Sequence, residues 1–211
     1  MIIAVDGPTA SGKGTIAKAL AAHYGLPHLD TGLLYRAVGA HAAALGGDPD
    51  NETEALAGCA FPEALLTDAL LRTEETGALA SRVSRHPAVR QALLDRQRAF
   101  ATQTGGAILD GRDIGTVIAP DADAKLFVTG STEARAARRH AEMVGRGLAV
   151  TLAAIAADLA KRDARDSNRS VAPLVRAHDA ALLDTTDLSI GDAVREAIRL
   201  VDAQLDRHSI S

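Results

Sequence analysis

The chain has 211 residues, a net charge of −4, 47% apolar residues and 2% aromatic ones. That length suits one α/β domain with a core of Ala, Leu, Ile and Val, and the apolar content excludes a disordered chain. The acidic balance, with three Phe, two Tyr and no Trp, excludes a broad nucleic-acid-binding surface with aromatic stacking platforms.

Cys59 is the only cysteine, so no intrachain disulfide can form, and it reads as a small buried hydrophobe. No apolar run approaches the roughly 18 residues of a membrane span. The N-terminus lacks the basic start and cleavage site of a signal peptide. The expectation is a cytoplasmic protein whose fold begins at its first residue, with no membrane or nucleic-acid partner and no second subunit.

Ile2 to Asp6 is a short apolar run closed by Gly7-Pro8, the pattern of a buried parallel strand reaching its C-terminal edge. From Lys13 to Tyr24, Ile16, Leu20 and Tyr24 recur every four residues, and Gly25 with Pro27 supplies a stop, which predicts a helix. Mostly helical patterns follow for about 75 residues, broken by the turn formers Gly46-Gly47-Asp48-Pro49 and Phe61-Pro62. Further strands are predicted at Ala107 to Asp110, Ala124 to Val128 and Ala181 to Asp184. Gly145-Arg146-Gly147 opens a polar stretch dense in Arg and Asp that runs to Pro173. The last helix has Ile190, Val194, Ile198, Val201 and Leu205 on one stripe, with Ser189 as N-cap and Asp192 in its first turn. A parallel sheet flanked by helices follows from this order.

Gly7-Pro8-Thr9-Ala10-Ser11-Gly12-Lys13 has the spacing G-x-x-x-x-G-K between a strand and a helix. Its glycines let successive backbone N–H groups turn toward a phosphate chain, Lys13 reaches the β and γ phosphates, and the helix dipole adds to the anion site. Gly14 stands where Ser or Thr is usual, and Thr15 brings the hydroxyl one residue later. That Gly-Thr pair resembles the loop of nucleoside monophosphate kinases. The only asparagines, Asn51 and Asn168, are in no Asn-Lys-x-Asp stretch, so a guanine-reading switch protein is excluded.

Thr31 and Arg36, a hydroxyl and a cation near a predicted helix start, can bind a second phosphate, although Thr31 also suits an N-cap and Arg36 a surface position. Asp110-Gly111-Arg112-Asp113 ends a predicted strand, where an open α/β sheet presents its ligand crevice. Asp110 takes the magnesium side there, with Thr15 as a second candidate, either of them through water. Arg162, Arg165 and Arg169 are spaced to share one helical face. That face suits a triphosphate; an exposed helix laced with ion pairs such as Asp158 with Arg162 would share the spacing.

With Gly7 to Thr15, Asp30-Thr31-Gly32 through Tyr35-Arg36, Asp110 to Thr116 and Arg165-Asp166-Ser167-Asn168-Arg169 in this order, the chain resembles bacterial cytidylate kinases nearly end to end. The resemblance implies a P-loop kinase fold: a single domain with core 1–30, 106–145 and 174–211, an inserted nucleoside-monophosphate-binding part 31–105 and a lid 146–173. It implies transfer of the γ-phosphoryl group of ATP to CMP or dCMP with Mg²⁺, Gly7 to Thr15 holding ATP and Lys13, Arg112, Arg162 and Arg165 acting on the transferred group. By the same resemblance Ser81, Arg90 and Asp113 read the cytosine, Arg162 and Asp166 the pentose, and Thr31, Arg36, Arg112 and Arg169 the acceptor phosphate. Some members have Ser at the position of Thr31, and the stretch from Asn51 to Ser81 is shorter than in long-form members. The rival readings are a P-loop kinase for another small acceptor and a regulatory ATP-binding module without transfer.

Overall fold

The computed structural model describes residues 1–208. Five strands, β1 (Ile2–Asp6), β2 (His28–Asp30), β3 (Ala107–Gly111), β4 (Ala124–Thr129) and β5 (Ala181–Asp184), form one sheet in the order β2-β3-β1-β4-β5. The β1–β3, β1–β4 and β4–β5 pairs are parallel. β1 is central, and its register places Asp6 opposite Gly111 on one side and Phe127 on the other. The loop after β1 therefore leaves the middle of the C-terminal edge, where ligands of open α/β sheets bind.

The chain divides into two compact units, residues 1–29 with 101–211, and residues 30–100. In the first, α1 (Lys13–Tyr24) and α8 (Ile190–His208) cover one sheet face. Ile16, Ala17 and Leu20 of α1 and Ala193, Ala197 and Val201 of α8 pack on Ile3, Val5, Leu126 and Val128. Each large aliphatic side chain buried in this way contributes about 1.5–3 kcal/mol. Ile190, expected on the inner stripe of α8, is 72% exposed. The small residues Ala193 and Ala197 carry the contact instead, because they let the helix approach the strands closely. Ser189 caps α8 as expected, its Oγ accepting from Asp192 N at 3.1 Å. α6 (Thr132–Gly145) and α7 (Leu152–Ser167) pair through Ala136, Met143, Ile155 and Leu159.

The second unit contains α2 (Thr31–Ala44), α3 (Glu52–Ala57), α4 (Glu74–Val83) and most of α5 (Pro87–Ala101). Short 3₁₀ turns join α3 to α4 across residues 58–72. α2 and α4 approach so closely that a Cβ on Gly39 would lie 2.7 Å from Leu79 Cβ. Arg82 and Arg85 of α4 and the turn after it bind the carboxylates of Asp48 and Asp50 at 2.5–3.0 Å, holding the turn that the Gly-Gly-Asp-Pro run predicts.

The predicted strands and helices stand at or within a residue or so of their expected ends. β2 was not foreseen: His28-Leu29-Asp30 is too short and too polar to read as a strand, and its place at the sheet edge defines it. The N-cap of α2 is Asp30, whose carboxylate accepts from Leu33 N at 3.3 Å, and Thr31 begins the helix itself. Cys59 is half-buried rather than fully buried, and burial raises its thiol pKa.

Candidate active site

The loop from Gly7 to Thr15 has the backbone of an anion cradle. Gly7 (φ 154°), Ala10 (φ 62°) and Gly12 (φ 90°) have positive φ, which turns successive peptide groups and is tolerated best where no Cβ obstructs it. Gly7 has a second constraint, since a Cβ there would meet Val128 O at 2.0 Å. Gly12 caps α1, so its first N–H groups and the positive end of its dipole open onto the loop. Ser11 Oγ is buried in the loop without a hydrogen-bond partner. A buried hydroxyl left in this way suits a polyphosphate, whose oxygens satisfy such groups.

The cradle is braced from three directions. Thr185, after β5, donates to Ser11 O at 3.0 Å. Arg135 of α6, buried, donates to Thr9 O at 3.1 Å and to Asp163 of α7 at 2.6 Å. Arg112, after β3, donates to Gly7 O at 3.1 Å, to Thr9 Oγ1 at 2.5 Å and to Asp166 of α7 at 2.7 Å. Thr9 is thus held by two arginines, and each arginine is paired with a carboxylate one helical turn from the other.

Asp166 is the centre of a cationic cluster. Burial pushes its carboxyl up, but the charge and hydrogen bond of Arg112, with Arg169 and Arg162 nearby, carry it below the usual carboxylate range. Burial lowers the pKa of Arg162, whose Nη1 lies 3.8 Å from Asp158. Arg165 is exposed on the same helix. α7 ends at Ser167 with Asn168 as C-cap, so Arg169 lies beyond the helix. The shared helical face expected for Arg162, Arg165 and Arg169 is corrected on that point: the chain turns at Asn168, and Arg169 reaches Asp166 O at 3.3 Å from outside.

Asp110 and Asp113 are both buried. Asp110 Oδ1 is 2.7 Å from His28 Nε2, and a Cβ on Gly14 would lie 3.8 Å from Asp110 Oδ2. Asp113 precedes a single π-helical turn, Ile114–Ile118. Among the described residues no group of three or more His, Cys, Asp or Glu side chains is arranged to hold a metal ion. Mg²⁺ needs only one or two protein groups when phosphates and water complete its shell, and the buried Asp110 carboxylate beside Gly14 fits that demand.

In the second unit, Arg36 Nη1 donates to Leu71 O at 2.9 Å and Thr73 O at 2.8 Å. Arg90, 7% exposed, lies over the Tyr35 ring with its guanidinium carbon 5.6 Å from the centroid and donates to Ser84 O at 3.3 Å. Thr31 is buried at the start of α2 and Ser81 is half-buried on α4. The expected acceptor residues therefore fall into two groups: Thr31, Arg36, Ser81 and Arg90 in this unit, and Arg112, Asp113, Arg162, Asp166 and Arg169 in the other.

His28, Arg135, Asp163 and Thr185 were missed from sequence, since none belongs to a recognisable spacing. Asp6, directly before the first glycine of the loop, was read only as the end of a strand.

A parallel sheet with helices on its faces and an arginine-braced P-loop after its central strand defines a P-loop kinase. The profile of the family described as cytidylate kinase matches residues 3–203. A cytidylate kinase of Xanthobacter autotrophicus is 57% identical over 204 residues, covering 97% of this chain and 98% of that relative. Cytidylate kinases of Methylocella silvestris and Caulobacter vibrioides are 54% and 51% identical, over 98% and 99% of this chain and 96% and 99% of their own lengths. A crystal structure of an uncharacterized protein from Eubacterium ventriosum shares the fold, with a TM-score of 0.57 at 15% identity over 96% of this chain and 99% of that one. The chain belongs to the cytidylate kinase family.

Proposed function

We propose that the residues above divide the work of phosphoryl transfer from ATP to CMP or dCMP, giving ADP and CDP or dCDP. The observation that carries this reading is the convergence of Arg112, Arg162 and Arg169 on Asp166, with Arg112 also bonded to the P-loop. Phosphoryl transfer depends on positioning and on neutralising the charge of the transferred group, so cations beside the phosphate grip are what the reaction requires.

Gly7 to Thr15 hold the ATP phosphates through backbone N–H groups and Lys13. Lys13, Arg112, Arg162 and Arg165 neutralise the transferred group. Arg165, exposed here, reaches it only after α7 moves, in keeping with a lid spanning 146–173 that excludes water. Asp110 and Thr15 are the candidates that would hold Mg²⁺, through water, and the bound ion would supply charge neutralisation.

On the acceptor, Thr31, Arg36, Arg112 and Arg169 take the phosphate, Arg162 and Asp166 the pentose, and Ser81, Arg90 and Asp113 the cytosine. The part spanning 31–105 acts as the nucleoside-monophosphate-binding insert. Cytosine presents an amino donor beside the N3 and O2 acceptors, which a carboxylate and a guanidinium satisfy together. Uracil reverses the pattern at N3 and the 4-position and leaves buried groups unpaired, a mismatch worth discrimination on the order of ten-thousand-fold. A cytoplasmic monomer is part of the same proposal; no described helix is long and apolar enough to cross a membrane.

A coupled assay of ADP release with CMP, dCMP, UMP and AMP as acceptors tests the reading. CMP and dCMP should turn over fastest. Faster turnover of UMP or AMP would overturn the cytosine assignment, and ATP binding without acceptor-dependent turnover would overturn the transfer itself.

A further inference from the structure

Asp6 is a buried carboxylate at the end of the central strand, 5% exposed, to which the reaction described above gives no part. Its two oxygens are used separately: Oδ1 accepts from Ile114 N and Oδ2 from Gly115 N, each at 2.8 Å. These are the first two N–H groups of the π-helical turn Ile114–Ile118, and no turn of that kind can satisfy its own first donors. Asp6 is covalently joined to Gly7, the first residue of the phosphate grip. Ile114 is covalently joined to Asp113, which follows Arg112. One side chain therefore ties the start of the P-loop to the segment carrying Arg112 and Asp113.

The tie has little slack. A Cβ on Gly115 would lie 3.4 Å from Asp6 Oδ2 and 3.1 Å from Lys125 Cδ, so the peptide is held between carboxylate and lysine stem. Lys125 is itself fixed, its Nζ donating to Pro120 O at 2.5 Å and to Asp179 at 2.6 Å. Lys13 faces Asp6 as the favourable charge and Asp113 as the unfavourable one. A carboxylate beside another carboxylate, buried and yet bonded to two backbone donors, is a costly arrangement. Its hydrogen-bond geometry shows what it does: it fixes one short length of backbone.

We propose that Asp6 is a positioning residue for the acceptor, fixing the backbone of Ile114 and Gly115 and thereby the stance of Arg112 and Asp113 beside the P-loop. The proposal rests on the reading of Arg112 and Asp113 as acceptor contacts. It separates the two substrates: loss of the tie displaces acceptor groups, while the phosphate cradle keeps its braces from Arg135 and Thr185 and still holds ATP.

Asp6→Asn is the informative change, because it keeps the shape but presents an amide N–H₂ to one of the two N–H donors. Steady-state kinetics on the purified variant should show KM for CMP raised about tenfold or more, the order of effect expected when substrate-positioning groups are misplaced. The kcat/KM preference for CMP over UMP should fall alongside, while KM for ATP stays within about twofold of the wild type. Gly115→Ala presses on the same peptide with Asp6 intact, should give the same split, and serves if Asp6→Asn does not fold. An unchanged KM for CMP in both variants, or equal rises for CMP and ATP, would overturn the proposal. Asp113→Ala separates this failure from failure of the underlying reading. If it too leaves KM for CMP and the CMP preference unchanged, Asp113 does not read the base. If it raises KM for CMP while Asp6→Asn and Gly115→Ala do not, only the positioning role falls.

Discussion

Replacing Asp6 by Asn should change how folding stability depends on pH. Burial pushes the Asp6 carboxyl up from its ordinary 3.8 to about 6, against the lowering effect of the hydrogen bonds from Gly115 and Ile114. Asp113 adds to the rise and Lys13 opposes it. Because the folded pKa is raised, the folded protein takes up a proton near pH 6 that the unfolded chain accepts only near 3.8. The group's stabilising contribution is therefore fully present below the unfolded pKa and is lost as pH rises through the folded one. A rise of this size corresponds to about 3 kcal/mol, which the charged carboxylate costs the native state at neutral pH. Asn cannot titrate, so the variant carries no such pH-dependent cost. Other carboxylates act in the opposite sense: Asp166, with its pKa lowered, favours the native state above the ordinary carboxylate range and loses that contribution on acidification. The difference between wild type and variant cancels these shared contributions. Urea unfolding at a series of pH values should show the variant gaining on the wild type by roughly 2 kcal/mol between a pH of about 4.5 and one of about 7.5. Most of that change should fall between a pH of about 4.5 and one of about 6, where the folded protein holds the proton and the unfolded chain has lost it. A difference independent of pH, or one that moves the other way, would refute the assignment of a desolvated, ionisable Asp6.

Arg112→Ala should lower kcat/KM for CMP about a hundred- to a thousandfold in the coupled assay, since it removes a preorganised cation from the transferred group; a loss of only a few fold would remove Arg112 from the reaction. Gly39→Ala should destabilise the protein by about 1–3 kcal/mol in urea unfolding, because its Cβ would sit 2.7 Å from Leu79 Cβ between two packed helices. An unchanged midpoint would show that α2 and α4 can part without cost.

The phosphate grip was legible because its chemistry is local. Gly7, Gly12 and Lys13 are close in the chain, and the apolar run before them and the four-residue repeat after them identify strand and helix without any distant contact. Ser189 and the Gly46-to-Pro49 turn were readable for the same reason, as short polar signals acting on their own backbone. Thr31 as N-cap was a near miss, since Asp30 beside it has the same capping chemistry. Arg169 was placed on a helical face because spacing carries no information about where a helix stops, and α7 stops at Ser167. Ile190 misled for a different reason: hydrophobicity alone does not distinguish the first residue of a helix, which overhangs the core, from Ala193 and Ala197, which touch it.

The linear chain by itself determined the class of fold, the P-loop and the family, because periodicity and motif spacing reflect forces acting over a few residues and persist through near end-to-end resemblance. Only the tertiary structure decided that Arg112 and Arg135 share Thr9, that Arg112 pairs with Asp166, and that Asp6 ties the P-loop to Ile114 and Gly115. These contacts join residues up to 126 positions apart. Which charges a folded chain must bury together depends on the packing of its strands and helices, and a carboxylate's worth there depends on the water it has lost.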